Sequence, residues 1–338
     1  MTVHLKPPMP PAHGEPFGTR SARTGDIDEQ AALLDGWNQR YAQLSAGRFD
    51  GQIEEAWLDG VHLFVESTSR RLMQRGVLEP GRVAIGLPLQ PGEGPAVFCG
   101  SSDWGWGDAA RYCGFSGADG FEYYTPEGLA MAGLELSRDE LLALATDDER
   151  ERIERVAARA GLHLAAPGSV TGLRDFMQGT FEMLRARPGL LDQAGVRGPL
   201  RQAALSNALE ALVRGGEADE RADAPAPQRA WQLVEGARAL IQQEAESPLT
   251  VAQLCVTLGV SRRTLQSAFQ QVLGMAPAAF LRAVRLAGAR RALRSAATVT
   301  EAAAQWGFWH FSHFAQDFRR MYGELPSQAW KRLRQPRH

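Results

Sequence analysis

Two stretches of the sequence carry side chains able to read the edges of nucleic-acid bases. In residues 260–273, Leu265, Ala268, Phe269 and Val272 recur at three- and four-residue steps, the rhythm of a helix with one inward face. Arg262, Arg263, Gln266, Ser267 and Gln270 then fall on the opposite face. Arginine and glutamine make paired hydrogen bonds to guanine and adenine in a major groove. Arg263, Gln266 and Ser267 are therefore expected nearest the bases, with Arg262 and Gln270 against the phosphates. In residues 311–322, Phe314, Phe318 and Met321 point inward. Ser312 and Gln316 take the base-facing positions, and His313, Arg319 and Arg320 the backbone-facing ones. This second set reads bases more weakly: Arg319 and Arg320 suit phosphates, which add affinity and salt dependence without sequence preference.

An internal repeat positions both sets. Thr250-Val251-Ala252-Gln253 and Thr298-Val299-Thr300-Glu301 are capping-box sequences 48 residues apart, each opening a short helix that stops at Gly259 or Gly307. Val260 and Phe308 follow, and Gly274-x-x-Pro277 and Gly323-x-x-Pro326 close the two copies. Ser261 is placed to cap the first reading helix. Helix, tight turn and polar-faced helix make a helix-turn-helix unit, here present twice. Between the copies Pro277 opens a helix running to about Arg294, roughly 27 Å long, fit to set two readers in successive major grooves. Phe280, Val284 and Ala287 form its packing stripe, while Arg282, Arg285, Arg290 and Arg291 are expected to add positive charge along it.

Charge agrees with this division. Residues 229–338 hold 15 Lys plus Arg against 6 Asp plus Glu, a balance of +9; the rest of the chain holds 22 against 33, or −11. A basic C-terminal unit behind an acidic N-terminal region suits a polyanionic partner, double-stranded DNA, for the former alone. No apolar run is long enough to span a bilayer, and residues 1–16 are proline-rich and polar, so no membrane association is expected and a cytoplasmic location is. The three cysteines, Cys99, Cys113 and Cys255, form no CxxC pair and argue against a disulfide framework or thiolate zinc site. His310 and His313 lack a third ligand, so no metal site is expected.

The fold class expected is α+β: an N-terminal β-rich, sensor-like domain with following helices, then an all-α C-terminal domain. Residues 1–25 are expected to be a disordered tail, 26–214 the effector or dimerisation region, 215–228 a linker, and 229–338 the DNA-binding domain. Strand-like runs occupy 52–58, 61–66, 82–87, 121–125 and 130–136. Helical patterning follows at 138–159, opened by the Ser137-x-x-Glu140 box, then at 171–186 and 200–213; these helices either pack on the β domain or join two copies as a homodimer.

Residues 249–334 resemble the DNA-binding domain of the AraC family of bacterial regulators. Leu-Thr-Val-Ala-Gln-Leu-Cys (249–255), Val-Ser-Arg-Arg-Thr-Leu-Gln (260–266) and Gly-Phe-x-x-x-Ser-His-Phe-x-x-x-Phe-Arg-Arg (307–320) carry the resemblance. It departs at Phe311 and Gln316, where a polar residue and an arginine are common. The resemblance implies a sequence-specific transcription factor, usually an activator, with RNA polymerase and a small-molecule effector as partners. A narrower similarity, to ethanolamine-utilisation regulators of the EutR type, rests on Trp37-Asn38-Gln39-Arg40-Tyr41, residues 47–51, Ile85-Gly86-Leu87-Pro88 and residues 305–310. It implies an amine-catabolism operon with ethanolamine and adenosylcobalamin as signals.

An effector would sit in the acidic β-rich domain, where Asp103, Trp104, Trp106 and Asp108, with Tyr123, place aromatics beside carboxylates suited to a small ammonium ligand. No catalytic residues are expected, since GxxxxGK[ST], GxSxG and HExxH are all missing from the sequence. Two other readings stand beside the regulator: an enzyme domain fused to a DNA-binding tail, and an architectural binder with little sequence preference. An alkylation-repair methyltransferase of the first kind would need a cysteine-rich zinc and acceptor site that three scattered cysteines do not supply.

Overall fold

The computed structural model describes residues 17–102, 111–213, 228–243 and 249–334. Its architecture follows from strands buried on both faces. Along β4 (Val61–Thr68), Leu63 and Val65 face one way, while His62, Phe64 and Glu66 face the other. A strand of this kind needs a layer on each side.

β4 belongs to a seven-stranded antiparallel sheet together with β1 (Phe17–Thr24), β3 (Gly51–Leu58), β6 (Arg82–Gln90), β8 (Arg111–Ser116), β10 (Leu129–Ser137) and β11 (Gly161–Leu164), in the order β1-β3-β4-β10-β6-β8-β11. A second sheet orders β2 (Arg40–Gln43), β5 (Leu72–Gly76), β9 (Phe121–Tyr124) and β7 (Val97–Phe98) as β2-β5-β9-β7. Trp37, Phe64, Phe98, Phe115 and Phe121 fill the space between the sheets, with Trp37 meeting Phe115 edge-on at 4.8 Å.

The outer face of the large sheet is covered by α2 (Arg138–Leu144), α3 (Asp147–Ala158), α4 (Pro167–Ala186) and α5 (Ala194–Val213). Val170, Leu173, Met177, Phe181 and Leu184 turn one stripe of α4 into this core, so the apolar faces that could have joined two copies are occupied by the sheet. Ser137 caps α2 as expected, accepting from the Glu140 amide at 3.4 Å, but the Glu140 carboxylate reaches Arg201 instead of completing the box.

A fourth layer lies against the small sheet: α6 (Gln228–Gln243), α7 (Val251–Thr257), α8 (Arg262–Leu273), α9 (Pro277–Ala292), α10 (Val299–Gln305), α11 (Phe311–Tyr322) and α12 (Pro326–Arg334). Ala42, Met73 and Tyr124 from the sheet share one core with Val234, Phe269 and Phe280. Tyr41, Phe49 and Leu72, with Ile27 from the short α1 (Ile27–Ala31), share another with Leu293, Phe314 and Phe318.

Two boundaries differ from expectation. Residues 17–24 are not part of a loose tail: they form β1 and pair with β3 from Phe17↔Leu58 to Thr24↔Gly51. An edge strand packs on one face only, so its small polar residues look like a tail in composition. Gln228, assigned to the linker, is the first residue of α6; the rest of the 215–228 linker lies outside the described residues, as does the tail before Phe17.

Candidate nucleic-acid interface

Each copy of the repeat is built from local interactions. Thr250 accepts from the Gln253 amide at 3.2 Å while the Gln253 side chain accepts from the Thr250 amide at 2.8 Å. Gly259 takes φ +65° after α7, and Ser261 then caps α8 by accepting from the Thr264 amide at 3.1 Å. In the second copy Thr298 accepts from the Glu301 amide at 3.1 Å, but the Glu301 carboxylate bonds the Ala297 amide at 2.7 Å, one residue further back. Gly307 takes φ +75°, and Gly274 and Gly323 end the two reading helices in the same left-handed conformation.

Leu265, Ala268, Phe269 and Val272 are buried. Arg263, Gln266 and Ser267, expected to face bases, and the flanking Arg262 and Gln270 lie exposed on one face of α8. Arg262 and Arg263 make no ion pair among the described residues and are open to a partner. On α11, Ser312, Gln316, His313, Arg319 and Arg320 are also exposed, with Phe314 and Phe318 buried. Met321 points inward as expected, half-buried against both C-terminal cores, and Tyr322 is buried beside it. Arg320 is partly neutralised, its guanidinium 2.6 Å from the Asp317 carboxylate, which also faces Arg282 at 3.6 Å.

The connecting helix departs from expectation in its charge. α9 is buried nearly all round, as Leu281, Ala283, Leu286 and Ala289 join Phe280, Val284 and Ala287. Arg290, only 2% exposed, pairs with Asp26 at 2.5 Å and with Asp28; Arg294 and Arg332 reach the same two acids at 3.0 and 2.6 Å. Arg285 donates to the Leu249 carbonyl, and Arg291 faces a cleft. Of the four arginines assigned to a positive stripe, only Arg282 is exposed. Acids of the N-terminal layer draw Arg290 inward. Burial works against the Asp26 carboxylate, but Arg290 and Arg332 outweigh it and hold the carboxyl well below its ordinary range.

The small sheet also grips both reading helices by their C-terminal ends. Arg71 donates to the Leu273 carbonyl at 2.7 Å, the last residue of α8. Gln43 donates to the Met321 carbonyl at 2.7 Å, and the Gly47 amide to the Arg320 and Met321 carbonyls at 3.0 Å, near the end of α11. Donors at these positions satisfy carbonyls that have no partner within the helix.

Between the small sheet and the C-terminal helices lies a cleft of about 1050 Å³, walled by β2, β5 and β9 on one side and α6 and α9 on the other. Trp231 and Trp306 line it. Trp306 packs on Gly288 of α9, where any Cβ would overlap its ring. Of the residues expected to hold an effector, Asp103, Trp104, Trp106 and Asp108 lie outside the described residues. Tyr123 is not at the cleft: strand alternation in β9 turns it between the sheets, 5.6 Å from Phe98, and gives Glu122 to the cleft.

Sequence reasoning missed Trp309, 71% exposed, and Phe311, 42% exposed, at the start of α11. A signal was present. Of the aromatic run 308–311 the repeat requires only Phe308 for packing, where it meets Phe314 at 5.0 Å.

Residues 254–332 match the family model of a helix-turn-helix domain. The chain is 32% identical over 197 residues to a probable thc operon regulatory protein of Rhodococcus erythropolis, covering 54% of this chain and 58% of that protein. It is 31% identical over 93 residues to the XylDLEGF operon transcriptional activator 2 of Pseudomonas putida, covering 26% of this chain and 59% of that one. Among solved structures, the AraC-like transcriptional activator CuxR aligns over 80% of this chain and 94% of its own, at 14% identity and a TM-score of 0.43. The chain thus spans less than two thirds of the curated relatives it matches. With its caps, left-handed glycines and polar-faced helices in place, the C-terminal layer of this protein contains a helix-turn-helix domain.

Proposed function

We propose that the protein is a sequence-specific DNA-binding transcription regulator of the AraC type, in which the β-rich layers sense a small molecule. The observation that carries this is the placement of two exposed polar faces, on α8 and α11, at the ends of one buried helix. Sixteen residues of α9 span about 24 Å, which with its flanking turns suits readers in neighbouring major grooves of one duplex face. The operon-regulating names of the relatives agree with the reading. Activation of a promoter would add RNA polymerase as a partner, and a second copy of the chain is a further candidate.

The test is recovery of genomic fragments by the purified full-length protein at about physiological salt. Enrichment of a few promoters supports the regulator, and the neighbouring genes report which operon it serves; an ethanolamine-type operon is what the resemblance leads one to expect. Even recovery of all fragments, with a steep salt slope, would favour an architectural binder instead.

A further inference from the structure

We infer that the cleft between the small sheet and the C-terminal helices is a binding site for a small organic anion with an aromatic-sized apolar body, held between Arg40 of β2 and Arg291 of α9. The inference rests on the regulator reading and gives it an effector class.

Charge is the first ground. Arg75 and Arg238 are matched within the cleft wall by Glu122, at 3.2 and 2.8 Å, and Arg238 by Glu235 at 2.9 Å. Arg40, Arg159 and Arg291 also line the cleft and have no acidic partner within ion-pair distance among the described residues, against one further acid, Asp119. Asp28, whose charge acts on Arg291 from beyond the cleft lining, is already engaged by Arg290 and Arg294. Burial lowers the Arg291 pKa, and the charge of Arg40 on the opposite wall pushes the same way. Arg40 is exposed and Arg291 half-buried, and two like charges lining one cleft repel each other until an anion comes between them.

The body of the ligand follows from the rest of the wall. Trp231, Trp306, Met73, Ile241 and Val284 give the cleft an apolar lining beside its guanidinium groups. About 1050 Å³ is far more than a two-carbon amine fills, and an ammonium group would meet an excess of arginine. Backbone strain is an independent pointer. Of the three described non-glycine residues with positive φ, Asn38 (φ 41°) and Cys99 (φ 46°) both line this cleft. Asparagine adopts this region readily, whereas Cys99 does so only where the surrounding structure holds it.

The site also explains how a signal could reach DNA. Arg40 belongs to the sheet that holds the ends of α8 and α11, whereas Arg291 belongs to the helix that joins them. An anion spanning both arginines ties sheet to reader.

The experiment uses the full-length protein with 2-naphthoate as anionic probe, and 2-naphthamide and 2-(aminomethyl)naphthalene as neutral and cationic controls of the same shape. Melting temperature and tryptophan fluorescence are followed. The carboxylate is expected to bind at least tenfold more tightly than either control, and Arg40→Gln and Arg291→Gln each to cost at least tenfold in its affinity. Without ligand, both variants are expected to melt at or above the wild-type temperature, because each removes an unneutralised charge; Arg40 is exposed, so its variant folds even if that of Arg291 does not. Equal binding of amide or amine, no carboxylate-selective binding, or full affinity in the Arg40 variant would overturn the assignment. Promoter recovery is measured separately. If it fails while carboxylate binding holds, the regulator reading falls and the anion site stands; the reverse result removes the anion site alone.

Discussion

The two copies of the repeat share caps, glycines and inner faces, yet they present different surfaces. α8 opens with Arg262 and Arg263, both exposed and free of ion pairs among the described residues. α11 opens with Phe311, preceded by the exposed Trp309, and its Arg320 is shared with Asp317. The second copy is also tied more firmly to the N-terminal layers, through Asp26, Asp28, Gln43 and Gly47. One framework thus supports a polar face and an anchored, partly apolar one. The inner faces set the framework; the outer faces are free to diverge.

Asp26→Ala should break this comparison most severely. It leaves the buried Arg290 with Asp28 as its remaining acid among the described residues, at a cost of about 3 kcal/mol, and hydrogen exchange should rise in α10–α12 well before α7 and α8. Equal exchange in both copies would show that the anchor is not specific to the second. Acid should imitate the substitution. The folded carboxyl lies well below its unfolded value of about 4, so its stabilisation is complete above about pH 5 and is lost progressively as pH falls from there to the depressed folded value.

Next in size, Arg263→Ala should weaken the best DNA site by about 1–3 kcal/mol and relax sequence choice, which competition between specific and random duplexes measures. Gly259→Ala should cost about 1 kcal/mol from backbone conformation alone, since nothing lies within 4 Å of the added Cβ at φ +65°; a thermal melt reads it. Arg320→Ala should have the smallest effect, below about 1 kcal/mol and even across sequences, because Asp317 already shares its charge. A loss of specificity as large as that of Arg263→Ala would mean that the second copy reads bases after all.

How far the sequence foretold these surfaces depended on the range of the interactions. The C-terminal repeat was legible because its caps, turns and helix periods lie within a few residues of one another. Five strands were legible for the same reason. β2 and β5 were not: Gln43 and Gln74 are buried polar residues between layers, so neither strand shows a simple alternation. β8 was hidden in a glycine-rich stretch. Arg290 shows the limit most clearly, for its type and spacing match a surface cation as well as Arg263 does. What turns it inward is Asp26 together with Asp28, the latter 262 residues away, and no local pattern carries that information.

The bare α-carbon of Gly288 has a consequence in genetic terms. The ring seated on it, Trp306, lines the cleft and also ends the first helix of the second copy. Any side chain there would displace the ring towards both at once. Among random alleles, position 288 is therefore where signal-blind or permanently active forms should gather, with the polar face of α8 intact and its response to the cleft cut away.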